Sequence, residues 1–143
     1  MNKPPHEWMS LQAQQERLMA AFPDAICRIS NVGLFWQGNL QPTAEGRSYT
    51  VRVRYAPPAV PEAVIIHPNL HYLVAHSAKP GRKLPHAYAA HQDPLCLFFG
   101  AAEWNPSLAL AGTTLPWVSL WLRFFELWLV TNTWEGSGAP YVE

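Results

Sequence analysis

The spacing of apolar positions changes several times along the chain, and each change marks an element. Trp8, Leu11, Leu18, Met19 and Phe22 recur at helical spacing with Gln and Glu between them, which predicts an amphipathic first helix ending near Pro23. The period then drops to two. Ala25 to Ser30 reads as a strand, Asn31 and Gly33 mark a turn, and Leu34 to Leu40 reads as a second strand. Ser48 to Tyr55 is the clearest strand: Tyr49, Val51, Val53 and Tyr55 point one way, and Thr50, Arg52 and Arg54 the other. Ala63 to Ile66 reads as a fourth strand after the stiff segment Pro57-Pro58-Ala59-Val60-Pro61. Short connections between them predict an antiparallel meander.

The regular pattern then stops. Asn69 to Pro94 has no steady periodicity and holds Pro80, Pro85 and Pro94, so it is expected to be a long irregular segment. Leu95-Cys96-Leu97-Phe98 is a short apolar run. Thr114 is the expected cap of the last major helix, with Pro116 in its first turn. In that helix Ser119, Arg123 and Glu126 form one narrow polar stripe, which predicts burial on most sides. Five of the seven Trp lie between positions 104 and 134, which places much of the core there. The tail from Gly136 is Gly- and Pro-rich and is expected to fray.

Composition narrows the class. The 143 residues suit a single domain, 1–143, with its core over about 6–135 and a flexible tail at 136–143. Charged residues make up 14%, well below the usual share of about 25%. Net charge is zero, which argues against a nucleic-acid surface. Charge is nonetheless uneven: residues 1–83 carry nine basic and five acidic groups, and residues 84–143 carry one basic and five acidic. The longest apolar run, Leu115 to Val130, spans 16 residues and contains Arg123 and Glu126. A membrane span needs about 20 apolar residues, so no membrane association is expected. Two Cys and no apolar stretch of signal-peptide length predict a cytoplasmic location with both thiols free.

Two groups of residues could carry chemistry. Cys96 follows the Pro-rich segment and precedes Trp104-Asn105-Pro106. Leu95, Leu97 and Phe98 would raise its pKa by desolvation, and a reactive thiol needs an opposing influence. Lys79, Arg82 and Lys83 precede it and are candidate cations. By composition alone the buried structural thiol is the stronger reading of Cys96, since free Cys is among the most buried residue types, and Cys27 in the first strand reads as core. The second group is histidine: His67, His71, His76, His86 and His91 cluster within 25 residues and could join Cys96 around zinc. Neither HExxH nor paired CxxC is present, so no metal ligand is assigned and no cofactor is expected. Phosphate-loop, dinucleotide and nucleophile-elbow motifs are also absent from the sequence.

Element order and the spacing around Cys96 resemble the ubiquitin-conjugating enzyme (UBC) family. His86 lies ten residues before Cys96, where that family has the His of its HPN motif. Trp104-Asn105-Pro106 begins eight residues after Cys96, where the family has W-x-P. Tyr55 to Val64, with its Pro57, Pro58 and Pro61, resembles the family's Pro-rich passage between third and fourth strands. More narrowly, the chain resembles the bacterial branch found beside cGAS-like nucleotidyltransferases in CBASS anti-phage operons. Pro85-His86-x-Tyr88, Leu95-Cys96-Leu97-Phe98, Glu103-Trp104-x-Pro106 and Pro116-Trp117-x-x-x-Trp121-Leu122-x-Phe124-Phe125-Glu126-x-Trp128 carry that likeness. Two departures stand out. The family's Asn, two residues after its His, is Tyr88 here. A literal His67-Pro68-Asn69 occurs 29 residues before Cys96 and reads instead as the end of the fourth strand.

The resemblance implies an α+β, UBC-like fold: an N-terminal helix, a four-stranded antiparallel meander, a long active-site loop and C-terminal helices. It implies an enzyme that transfers acyl groups through a Cys96 thioester. Cys96, His86 and Tyr88 are then the catalytic set. Pro85, Trp104 and Pro106 support the loop, and His91 and Asp93 are acid/base candidates. The implied donor is the C-terminal glycine of a cGAS-like nucleotidyltransferase, and the acceptor is a lysine on a target protein. Two other readings stay open: a non-catalytic UBC-like binding module, and a metal enzyme built on the His cluster.

Overall fold

The computed structural model describes residues 8–85 and 104–135. Helix α1 runs over Leu11–Ala21. Ser10 begins it, its hydroxyl accepting from the Ala13 N–H at 3.1 Å, so Trp8 lies ahead of the helix rather than in its first turn. The last turn closes where the Phe22 N–H donates to the Leu18 carbonyl at 2.8 Å, one residue before Pro23. Strands β1 (Ile26–Ser30), β2 (Gly33–Leu40), β3 (Tyr49–Tyr55) and β4 (Glu62–His67) follow. They form one antiparallel sheet in the order β1-β2-β3-β4, the meander expected from the period of two.

The β1–β2 turn depends on glycine. Gly33 has φ +128°, and a Cβ there would stand 2.4 Å from the Tyr55 carbonyl oxygen. An L side chain meets both a strained backbone and a collision with β3.

The alternation in β3 sets the core. Tyr49, Val51, Val53 and Tyr55 are all buried, as are Leu34, Trp36 and Leu40 on β2. Leu18 of α1 packs on this face, and Phe22 meets Trp36 edge-on at 5.3 Å. Cys27 of β1 is partly buried against the same core, and burial pushes its thiol pKa up, opposed by the Gln15 side chain.

Beyond β4 the irregular segment expected over 69–94 holds a short helix, α2 (Leu70–Ala75). Asn69 caps it, its side-chain oxygen accepting from the Tyr72 N–H at 3.1 Å, and Leu70 and Val74 enter the core. Six residues are too few to display a helical period, which is why the pattern hides it.

Helix α3 (Thr114–Thr131) follows a 3-10 turn at Leu110–Gly112. Its cap is Thr113, not Thr114: Thr114 is the first helical residue and is fully buried. The Thr113 hydroxyl donates back to the Ala109 carbonyl at 2.7 Å. Leu115, Val118, Trp121, Leu122, Phe125 and Trp128 face the core. The expectation of burial on most sides is corrected, because Leu120, Leu127 and Val130 are exposed along with Arg123. Leucine occupies both faces, so residue type alone could not separate them. Where the sequence suggested C-terminal helices in the plural, α3 is the one α-helix after position 104 among the described residues. No helix among the described residues is long and apolar enough to cross a membrane.

Candidate functional site

Cys96, His86, Tyr88, His91 and Asp93 lie outside the described residues. Pro85, Trp104 and Pro106 lie within them, as do residues that hold the chain on either side of 86–103.

On the N-terminal side the tie is Arg82. Its guanidinium reaches the end of α3, where the last helical carbonyls have no intrahelical donor. Nη1 donates to the Trp128 carbonyl at 2.8 Å and to Asn132 Oδ1 at 3.1 Å. Nη2 donates to the Leu129 carbonyl and to Ser77 Oγ, both at 3.1 Å, and Nε donates to the Lys79 carbonyl at 2.9 Å. The Ser77 hydroxyl in turn donates to the Val74 carbonyl, which brings the end of α2 into the same network. The guanidinium carbon sits 4.0 Å from the centre of the Trp128 ring. A cation at a helix C-terminus is favoured by the macrodipole, and one over an indole face by the ring quadrupole. Asn132 is in the left-handed conformation, φ 63°, which ends α3 and aims its side chain at Arg82. Leu84 and Pro85, next along the chain, are buried.

On the C-terminal side the tie is Trp104, 4% exposed, whose ring meets Tyr55 edge-on at 5.4 Å and 82°. Burial pushes the Tyr55 hydroxyl pKa up, and the Trp104 indole opposes that shift. Asn105 then folds the chain back: its side-chain oxygen accepts from the Ser107 N–H at 2.9 Å and from the Ser107 hydroxyl. The Pro106 carbonyl accepts from the Met9 N–H at 2.9 Å. Gln14, fully buried on α1, completes the anchor. Its amide nitrogen donates to the Leu108 carbonyl at 2.7 Å, and its oxygen accepts from the Leu110 N–H at 2.8 Å. Burying an amide is costly unless both ends are bonded, and here both are.

Sequence reasoning placed Arg82 among the loop cations and passed over Gln14. Nothing in the run Gln12-Ala13-Gln14-Gln15 singles out the one Gln that faces inward. The literal His67-Pro68-Asn69 is a strand end followed by a helix cap, because β4 stops at His67 and Asn69 starts α2. His76 stacks on Tyr72 with ring centres 4.0 Å apart. Among the described residues no three His, Cys, Asp or Glu side chains gather as a metal site would require.

A family model described as Type II CBASS E2 protein matches residues 14–141, most of the chain. No curated protein matches it.

Proposed function

The chain belongs to the Type II CBASS E2 family, and from that premise we propose that it transfers an acyl group through a thioester on Cys96. The observation that carries the reading is the match over 14–141, which spans Cys96 together with His86 ten residues before it and Trp104 eight after. E2-like membership fits a conjugating transferase acting in CBASS defence. The finer chemistry is our reading.

In this reading the Cys96 thiolate attacks the activated carbonyl of a C-terminal glycine, and the carbonyl's leaving group departs as the C–S bond forms. The amine of an acceptor lysine then attacks the thioester. A C–N bond replaces the C–S bond, the lysine proton passes to a base, and Cys96 regains its thiol. Dividing one hard acylation into two easier ones is the advantage of a covalent relay. The tetrahedral oxyanion needs a donor, whose loss typically costs about 2.7–4 kcal/mol. We assign that role to the Tyr88 hydroxyl or a backbone N–H, loop support to His86, and candidate acid/base roles to His91 and Asp93. A cGAS-like nucleotidyltransferase is the proposed donor, and the acceptor is a lysine on a target protein.

Non-reducing mass spectrometry with a cGAS-like nucleotidyltransferase that ends in glycine tests the reading. The expected result is a thiol-sensitive adduct on Cys96, absent from Cys96→Ala, with Cys96→Ser trapping a slower oxyester. An adduct that survives in Cys96→Ala overturns it.

A further inference from the structure

The sheet has a second face, turned away from the core. In one row across it the register sets Arg28 of β1 beside Phe35 of β2, Phe35 beside Arg54 of β3, and Arg54 beside Glu62 of β4. Ile26, Gln37, Arg52 and Val64 make the next row. Three arginines thus share the two rows with one carboxylate, Glu62. Arg52 is committed: its Nε donates to Gln37 Oε1 at 3.3 Å, and its guanidinium carbon lies 5.6 Å from the centre of the Phe35 ring. Arg28 and Arg54 are exposed, and neither makes an ion pair or side-chain hydrogen bond with a described residue, although Glu62 stands across from Arg54. Strands about 4.8 Å apart put these two positions roughly 10 Å apart, one on each side of Phe35. Like charges gathered on one sheet face repel, and their summed field favours a negatively charged partner.

The same row borders a cavity. It is open, has a volume of about 370 Å³, and lies at the end of the sheet where β1 turns into β2. Val32 of that turn, Phe35, Arg54, Ala59, Val60 and Glu62 are among its walls. Val32 is 79% exposed at a hairpin tip, a place where polar residues are usual. An apolar wall with a free guanidinium on its rim selects an apolar side chain that adjoins a carboxylate. A nucleic acid matches this surface poorly. Arg52 already lies over the ring on which a base would stack, and the Glu62 carboxylate repels phosphate.

We propose that this cavity and the two arginines beside it form a docking site for an acidic segment of a partner protein. One apolar side chain enters between Val32 and Val60, and carboxylates next to it pair with Arg54 and Arg28. The site is independent of the thioester reading, since all of its residues belong to the sheet and its connections.

The probe is a fluorescein-labelled peptide, Gly-Ser-Leu-Glu-Glu-Glu-Ser-Gly, titrated into the full chain and followed by fluorescence anisotropy. The expected result is saturable binding that weakens as ionic strength rises. Arg28→Gln with Arg54→Gln should weaken it about tenfold, two exposed charge pairs being lost. Val32→Ser, and a peptide with Ser in place of Leu, should each weaken it severalfold. Arg123→Gln, which removes an exposed charge from α3, should bind as wild type does. In amide NMR spectra of the wild type, the peptide should shift Val32, Phe35 and Arg54. All the substituted positions are solvent-exposed, so unfolding does not mimic the loss.

Absence of saturable binding overturns the proposal. So does binding that the paired arginine substitutions leave unchanged, or amide shifts confined to other elements. Equal affinity for the Ser peptide would reduce the site to unspecific charge attraction. Tighter binding of a labelled oligothymidylate than of the peptide would make the face a nucleic-acid surface, which also overturns it.

Discussion

Asn69 closes a tripeptide, His67-Pro68-Asn69, that copies a catalytic motif letter for letter, yet its side chain serves a helix N-terminus. Asn69→Ala should therefore lower stability by about 1 kcal/mol, the usual cost of a lost cap. Urea unfolding measures that loss, and the acylation proposed for Cys96 should be unaffected. Trp104 makes the opposite case, a motif residue whose ring is nearly all buried. Trp104→Ala should cost about 3–5 kcal/mol, as truncating a buried aromatic does, read from the same unfolding curves. A neutral effect would contradict its packing on Tyr55. The residue scale is where the sequence is least legible. Trp104 declares itself by type and spacing, but the partners of Gln14 and Arg82 lie far away along the chain, where residue type gives no sign of them.

Elements were legible in proportion to how many periods they display. Strand β3 shows its alternation over seven residues, and the side chains expected to point inward are the buried ones. Helix α2 shows fewer than two turns and left no period to find. Helix α3 shows five turns, but its inward and outward faces both carry Leu, so the buried stripe came out too wide. This difference is measurable. Phe125→Ala, fully buried, should cost about 3–5 kcal/mol. Val130→Lys, on the exposed side, should fall within about 0.5 kcal/mol of wild type by the same denaturation assay.

At the scale of the whole molecule, one proton links sheet to helix. The Tyr49 hydroxyl on β3 donates to Glu126 Oε2 on α3 at 2.7 Å, with Arg47 3.8 Å from the same oxygen. Burial first, then the Glu126 bond, hold the Tyr49 pKa well above its usual 10. Unfolded tyrosine ionises near pH 10 while the folded side chain keeps its proton, so this contribution is complete below pH 10 and is lost as pH rises above it. Thermal melts should show a steeper alkaline decline for wild type than for Tyr49→Phe. The candidate site is an expectation from spacing, His86 and Trp104 about Cys96, and spacing says nothing of what moors Pro85 and Trp104. The bond from Met9 to the Pro106 carbonyl has a practical corollary. An affinity tag or fluorescent fusion joined just ahead of α1 would emerge beside the Trp104–Pro106 turn and tug on the carbonyl that steadies it. Reagents for assaying this chain are better labelled elsewhere.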